Sequence, residues 1–465
     1  MRKVEGRGGR AGRGATGPAP GGGRARRRTL LRALTGLAGA AGAACSAPGL
    51  GPAAPPPAAL PSATVEVWYN AWGGRTVPVM EGQVTPTLRA RSPQITLNLV
   101  QKSSIQDLLV AAAGGTAPSL VYLGAAQVVT AVRAGLAQAL DDRVKLWGRA
   151  QSDDFFPAAL NQPRWKDQLW GLPAIAFANT YFWRKDLLEQ EGVRQLPATF
   201  EQSLDVCRRL TRVQDGAVAR QGLGLVELWA EFFMGLRGQG MPLARAGKAA
   251  FNGPEGLAML QYQVDRTALT QPASAAPPAT QPNPLGQGLW AGAWGHYANV
   301  VNEARVGTPE TYRAVAVGQP LIPGEQQYRA PAGKTWRPAT FSFHDWWLTV
   351  RGGGALDQTW EVLTHLETAE TLLAFNEPLG TLPPRKSAQG RGYLAEGQLR
   401  EVADLYLRHG QPQYKYPLPQ ELNPAINGPL QNAVARKVSP KEALDEAGRA
   451  WDAVLQREDF RDDVT

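Results

Sequence analysis

Four histidines, two carboxylates four residues apart and a run of three glycines are the groups in this chain best suited to chemistry. None is spaced for catalysis. His296, His344, His365 and His409 are scattered, with no H-E-x-x-H pattern or paired ligands to hold a metal. His344 and Asp345 are adjacent, and neighbours on a strand point to opposite faces, so they form no dyad. Glu227 and Glu231 stand in an aromatic stretch and are the one glycosidase-like pair worth weighing. Such pairs come from separate elements at set separations, and acids in this setting more often face water or fix ligand hydroxyls. Gly352-Gly353-Gly354 precede a helix but lack GxGxxG spacing or a Lys-Ser pair, which leaves a flexible turn rather than a phosphate cradle. There is no G-x-S-x-G elbow. Cys45 and Cys207 lie in different contexts, so no disulfide framework or thiolate metal site is expected, and Cys207 reads as a small buried hydrophobe. No catalytic set, metal or cofactor follows.

What remains is a supply of flat rings beside hydrogen-bonding groups, and the elements around them. Val65-Glu66-Val67-Trp68-Tyr69 alternates as a strand, and Asn70 to Gly74 follows as a loop. Pro78 suits the first turn of a helix that Pro86 should kink or shorten. Ile95 to Val100 reads as a second strand, Ser104 as the cap of a helix ending at Gly114-Gly115, and Ser119 to Leu123 as a third, fully apolar strand. A helix from Val128 to Ala134 follows. This alternation predicts a parallel α/β sheet covered on both faces. In such sheets ligands gather beyond the carboxyl ends of strands, here Trp68 to Gly74, Leu123 to Gln127 and Ala174 to Asn179. Asn70 and Trp72 are the preferred ligand contacts of the first loop.

Pro163 to Leu188 organises the rest: a polar turn between Trp165 and Trp170, then Gly171-Leu172-Pro173, an apolar run Ala174 to Phe177, and Thr180 to Trp183 before Arg184-Lys185-Asp186-Leu187. That order resembles the segment in which the solute-binding proteins of ABC importers, family 1, which includes the sugar and maltodextrin binders, first pass from one lobe to the other. Trp183-Arg184 stands where the family usually has Tyr-Asn. Leu196-Pro197-Ala198-Thr199-Phe200 resembles its Pro-x-Thr-Trp turn, with Thr199 and Gln202 as a capping box. Gly288 to Gly295 resembles its Gly- and Trp-containing stretch, and Leu379-Gly380-Thr381-Leu382-Pro383 its third crossing.

The resemblance implies a two-lobed periplasmic-binding-protein fold (type II) with three interlobe crossings and a ligand cleft between the lobes. Residues 63–175 and 315–378 would form the first lobe, and 176–314 and 379–465 the second. The second crossing is expected at Tyr312 to Pro323, and the hinge near Pro173, Gly318 and Gly380. The implied ligand contacts are Asn70, Trp72, Phe177, Trp229, Glu231, Trp294, His296 and Asp345, with Trp294 stacking on a sugar. Phe177 stands where maltodextrin binders place a carboxylate, and Leu123-Gly124-Ala125 lacks their aromatic and acidic residues, so maltose itself is not the expected ligand.

The formal charge of +9 invites a nucleic-acid reading that its distribution removes. Residues 1–45 carry ten Arg or Lys and one acid, Glu5, leaving 39 basic and 39 acidic residues from 46 onward. Arg27-Arg28-Thr29-Leu30-Leu31-Arg32 looks like a twin-arginine export signal, followed by the small apolar run Ala33 to Ala44. Gly42-Ala43-Ala44-Cys45 resembles a lipoprotein box with Cys45 acylated. Residues 46–62, with six prolines and no charge, read as a tether of roughly 50 Å. The expectation is an exported, lipid-anchored monomer that captures a small solute, a sugar first, and passes it to membrane permease subunits. Alternatives are the same fold binding a glycerophosphodiester, peptide or polyamine-like solute, or a secreted carbohydrate-active enzyme.

Overall fold

The computed structural model describes residues 60–225, 227–272, 284–301, 309–324, 328, 336–412 and 421–457. The export signal and Cys45 lie outside them. Strand β1 (Ala63–Trp68) is followed by a helical stretch α1 (77–91), β2 (Ile95–Val100), α2 (Ile105–Ala113), β3 (Leu120–Gly124) and α3 (Ala125–Arg133). β1 pairs in parallel with β2, Val65 opposite Leu97, and with β3, Val67 opposite Leu120. Ser104 caps α2 as expected, its hydroxyl accepting from the Gln106 and Asp107 amides at 3.2 and 3.4 Å. Pro86 does not end α1. The helix widens into a π turn over Met80–Val84, and the Thr85 amide reaches back to the Met80 carbonyl. The wider turn makes room for a ring that has no N–H to give. α3 starts directly after β3, three residues before the sequence places it, so Leu123 to Gln127 is not a loop.

The centre is β4 (Leu172–Arg184), thirteen residues long and buried throughout. After it come α4 (Phe200–Leu210), β5 (Gly224–Leu225), α5 (Leu228–Gly238), α6 (Pro254–Thr270), β6 (Gly292–His296), β7 (Val315–Gly318) and β8 (Thr340–Thr349). The chain then forms α7 (Leu356–Leu366), α8 (Ala369–Asn376), α9 (Gln398–His409), β9 (Gly410–Pro412), α10 (Leu422–Val434) and α11 (Pro440–Leu455). The main sheet runs β2-β1-β3-β8-β4-β6-β5, with β7 added on β4 and β9 on β8. The capping box on α4 is made: Thr199 Oγ1 accepts from the Gln202 amide at 3.2 Å, and Gln202 Oε1 accepts from the Thr199 amide at 3.3 Å.

Two lobes can be read from where the face of β4 goes. Ile175 and Phe177 join an apolar core with Val65, Val67, Tyr122, Trp347, Val362 and Phe375. Tyr181 and Trp183, farther along the same face, join a second core with Phe200, Phe232, Met259, Trp294 and Trp451. Asn179 stands between and belongs to neither. On the opposite face Ala176, Ala178 and Phe182 pack on Tyr297, Val317, Leu382, Val402 and Tyr406.

The crossings differ in part from the expectation. β4 makes the first passage. The second is β8, antiparallel to β4 from Phe341 opposite Asn179 to Trp347 opposite Leu172 and then paired with β3. Residues 315–318 pair with β4, and Val315 and Val317 pack on its opposite face. β7 pairs with the far end of β4, the Thr180 hydroxyl donates to the Gly318 carbonyl at 2.7 Å, and Ile322 exchanges backbone bonds with Ala198 and Phe200. Gly318 is therefore no crossing point. Farther on, Gly380 adopts φ +65°, and Leu382 exchanges both backbone bonds with Ala176 at 2.7 and 3.0 Å. At Pro173 the β4–β8 register slips, leaving Ala174 as an extra residue whose carbonyl accepts from Asn376 Nδ2 at 3.1 Å.

Candidate functional site

The loop after β1 is shaped by its own side chains. Asn70 Oδ1 accepts from the Trp72 amide at 2.9 Å, a self-closing turn, and the Thr76 hydroxyl donates to the Asn70 carbonyl at 2.8 Å. Trp72 is held at φ +47°, a backbone conformation that side-chain-bearing residues seldom adopt and that persists where surroundings enforce it. Its ring faces Phe177, with centroids 6.4 Å apart, and Phe177 in turn faces His296 at 4.8 Å. Three flat side chains from two lobes thus adjoin one another.

Polar groups stand beside the rings. Asp345 lies opposite Gly124 in the β8–β3 ladder, and Tyr122 donates its hydroxyl to Asp345 Oδ2 at 2.8 Å. A side chain at Gly124 would begin 3.4 Å from the other carboxylate oxygen. Asn179 faces His296 across the β4–β6 ladder. It is fully buried, and neither amide atom has a hydrogen-bond partner among the described residues. Burying such a group unpaired costs about 1–3 kcal/mol.

His296 is 6% exposed, and burial pushes its pKa down to about 3. It therefore stays a neutral ring with one donor and one acceptor at physiological pH. His344, on the opposite face of the sheet, is likewise lowered to about 3 by burial and bonds to Gln162 Oε1 at 2.5 Å and the Tyr406 hydroxyl at 2.9 Å. Both histidines are uncharged when folded and gain a proton on unfolding below pH 6.5. Stability should therefore be intact above 6.5 and fall as pH drops toward 3, by about 1–2 kcal/mol per histidine between pH 6.5 and 5. Urea titrations at the two pH values measure this, and His344→Gln should remove about half of the part of the slope that His296 and His344 contribute.

Three expected contacts are not at this surface. Glu231 is fully buried within the second lobe, where it pairs with Arg266 and accepts from the Tyr181 hydroxyl at 2.7 Å and Gln263 Nε2 at 2.8 Å. It is an internal ion, not a ligand group. Trp294 is also fully buried, opposite Tyr181 in the β6–β4 ladder and part of the second core. It shares a face with His296 but lies two residues deeper, where that face is covered, so it packs rather than stacks on solute. Trp229, at the start of α5, packs on Phe233 at 5.9 Å and lines a cavity of about 330 Å³ together with Glu227 and Arg266. A larger cavity, about 720 Å³, adjoins the Trp72 loop: Arg75, whose Nε donates to the Trp72 carbonyl at 3.1 Å, lines it with Pro78, Glu377 and Tyr393. Asn179, opposite His296, and Tyr122, bonded to Asp345, stand beside these residues and were not expected. The sign of the first was a lone Asn-Thr pair inside an otherwise apolar strand. Among the described residues no cluster of His, Cys, Asp and Glu is arranged to hold a metal.

Residues 83–370, more than half of the chain, match the profile of the bacterial extracellular solute-binding proteins. The chain belongs to that family. A putative binding protein of Brucella abortus (strain 2308) is 21% identical over 415 residues, spanning 84% of this chain and 93% of the relative. Among solved structures, this solute-binding protein is similar to the sugar-binding protein MalE of Xanthomonas citri, at 18% identity and a TM-score of 0.71, covering 84% of this chain and 97% of that one. It is also similar to an ABC transporter solute-binding protein of Thermotoga lettingae TMO bound with α-D-tagatose, at 19% identity and a TM-score of 0.66, covering 85% and 100%. At such identities the likeness fixes the fold, a two-lobed solute-binding architecture.

Proposed function

We propose that this family member is the extracytoplasmic capture component of an ABC importer and that its solute is a carbohydrate, bound between the lobes and released to the membrane permease. The carrying observation is the meeting of Trp72, Phe177 and His296 beside the unpartnered amide of Asn179. A sugar offers apolar C–H faces to flat rings and hydroxyls that both donate and accept, which is what a buried carboxamide lacks here. Structurally similar proteins bound with tagatose and with maltotriose support the same reading.

The chain acts by binding alone. Glu231 is occupied by Arg266 inside the second lobe, so it forms no acid–base pair with Glu227. Asn70 and Asp345 fix hydroxyls at the first lobe. Export by the twin-arginine-like leader, anchoring through acylated Cys45 and function as a monomer complete the proposal. No helix among the described residues is long and apolar enough to cross a membrane.

A thermal-shift screen against monosaccharides, oligosaccharides and polyols tests it. A ligand at a hundred times its Kd should stabilise the folded protein by about 2.7 kcal/mol. If no sugar raises the melting temperature, the carbohydrate assignment fails while family membership stands.

A further inference from the structure

The cavity of about 330 Å³ in the second lobe shares no lining residue with the rings and the amide described above. The chain flanking β5, the start of α5, the carboxyl end of α6 and one side of α10 enclose it. Two indoles line it. The Trp290 N–H donates to Gln221 Oε1 at 2.6 Å, and its ring lies against Gly224, where any side chain would overlap it. Trp229 packs edge-on against Phe233. Arg266 also lines the cavity, with a side chain only 1% exposed. One of its amino groups pairs with Glu231, which is not part of the lining. The other, Nη2, has no partner among the described residues. Glu227, just before α5, adds a carboxyl that burial raises above its ordinary pKa and that no cation among the described residues offsets.

We propose that this cavity is a second binding site, separate from the cleft, for a small zwitterion that carries a carboxylate and a substituted ammonium, of the betaine or amino-acid type. Its ligand is independent of the solute held between the lobes.

The charge pattern selects the chemistry. The charge of Arg266 is already met by Glu231, so what Nη2 lacks is an acceptor. A plain anion would supply one but would lie against Glu227. A plain cation would suit Glu227 and the indole faces, and would leave Nη2 bare. A neutral polyol would leave the buried carboxylate without a counter-charge. A zwitterion meets all three demands. Its carboxylate accepts from Nη2 in a charge-assisted bond, and its ammonium lies between Glu227 and the indoles. The side-chain amide of Asn427 supplies further polar lining.

Calorimetric titration of the full chain with glycine betaine and with L-proline tests the assignment. Two probes that each carry half of the pattern accompany them: tetramethylammonium, which has no acceptor, and tert-butylacetate, in which carbon replaces the ammonium nitrogen of betaine. Betaine should bind at least about tenfold tighter than either half, the worth of one charge-assisted contact. Trp229→Ala should weaken betaine about tenfold through loss of one indole face. Glu227→Gln keeps the side chain's shape and should weaken betaine about tenfold while tert-butylacetate binds as before or tighter. That split is one a loosened fold would not give, and it preserves the test if Trp229→Ala does not fold. Trp72→Ala, in the cleft, should leave betaine affinity within about twofold. Absence of binding by both zwitterions, equal affinity for all four probes, or variants that weaken tert-butylacetate as much as betaine overturn the site and leave the carbohydrate reading standing. Loss of betaine binding in Trp72→Ala also overturns it, by placing the zwitterion in the cleft.

Discussion

Asn179→Leu is expected to make the unliganded protein more stable and to remove solute binding in the same step. The amide is fully buried with both polar atoms lacking a protein partner. Exchanging it for an apolar side chain of similar shape relieves a desolvation cost of about 1–3 kcal/mol, and hydrogen bonds to a solute worth about 1.4 kcal/mol each are lost. The melting temperature without solute should rise by about 2 °C, and affinity should fall at least about a hundredfold, for two bonds. Scanning calorimetry and titration on one sample read both. A purely structural asparagine would give the opposite pairing, lower stability with affinity kept, and that result would sink the assignment of Asn179 to the site.

Glu231→Gln is expected to cost stability rather than affinity. Its carboxylate neutralises Arg266 in a region where neither side chain meets water, and it also receives the Tyr181 hydroxyl and the Gln263 amide. Removing one partner of a buried pair leaves a bare charge, at about 3–5 kcal/mol. The double variant Glu231→Gln with Arg266→Met should recover most of that loss, since no charge is stranded. Urea denaturation of the three proteins decides it. A loss under about 1 kcal/mol in the single variant, or a folded single variant with unchanged stability and collapsed solute affinity, would return Glu231 to the binding surface.

What could be read from residues alone tracks how local the signal is. Ser104 and the Thr199–Gln202 box act within one turn, so their caps were legible. The alternation of β1, α1, β2, α2 and β3 needs only periodicity. The run Ala314 to Pro323 looks like a passage between lobes because it is apolar and ends in prolines. What holds it in place is the bond from Thr180 to Gly318 and the pairing of Ile322 with Ala198, both set by residues more than a hundred positions away. Trp72, Phe177 and His296 adjoin one another because rings at strand ends tend to meet. Glu231 and Trp294 were not legible as buried, because periodicity gives a face but not the depth at which that face is covered. Asn179 lies at the end of a loop already singled out, yet only the folded structure shows that it is buried without a partner.

The pairing of β8 with β3 has a bearing on how the chain assembles. Gly124 and Thr349 bound a separation of roughly 225 residues, so the strand that lies against Tyr122 and Leu123 is made late. At about 5–20 residues per second, a ribosome would deliver it some 10–45 s after its neighbour. During that interval the amino-terminal half has an open strand edge and cannot finish its core, while the intervening carboxyl-proximal elements can already begin theirs. The earliest-made part of this protein is thus bound to be among the last to become native, and until then it needs guarding against association with other chains.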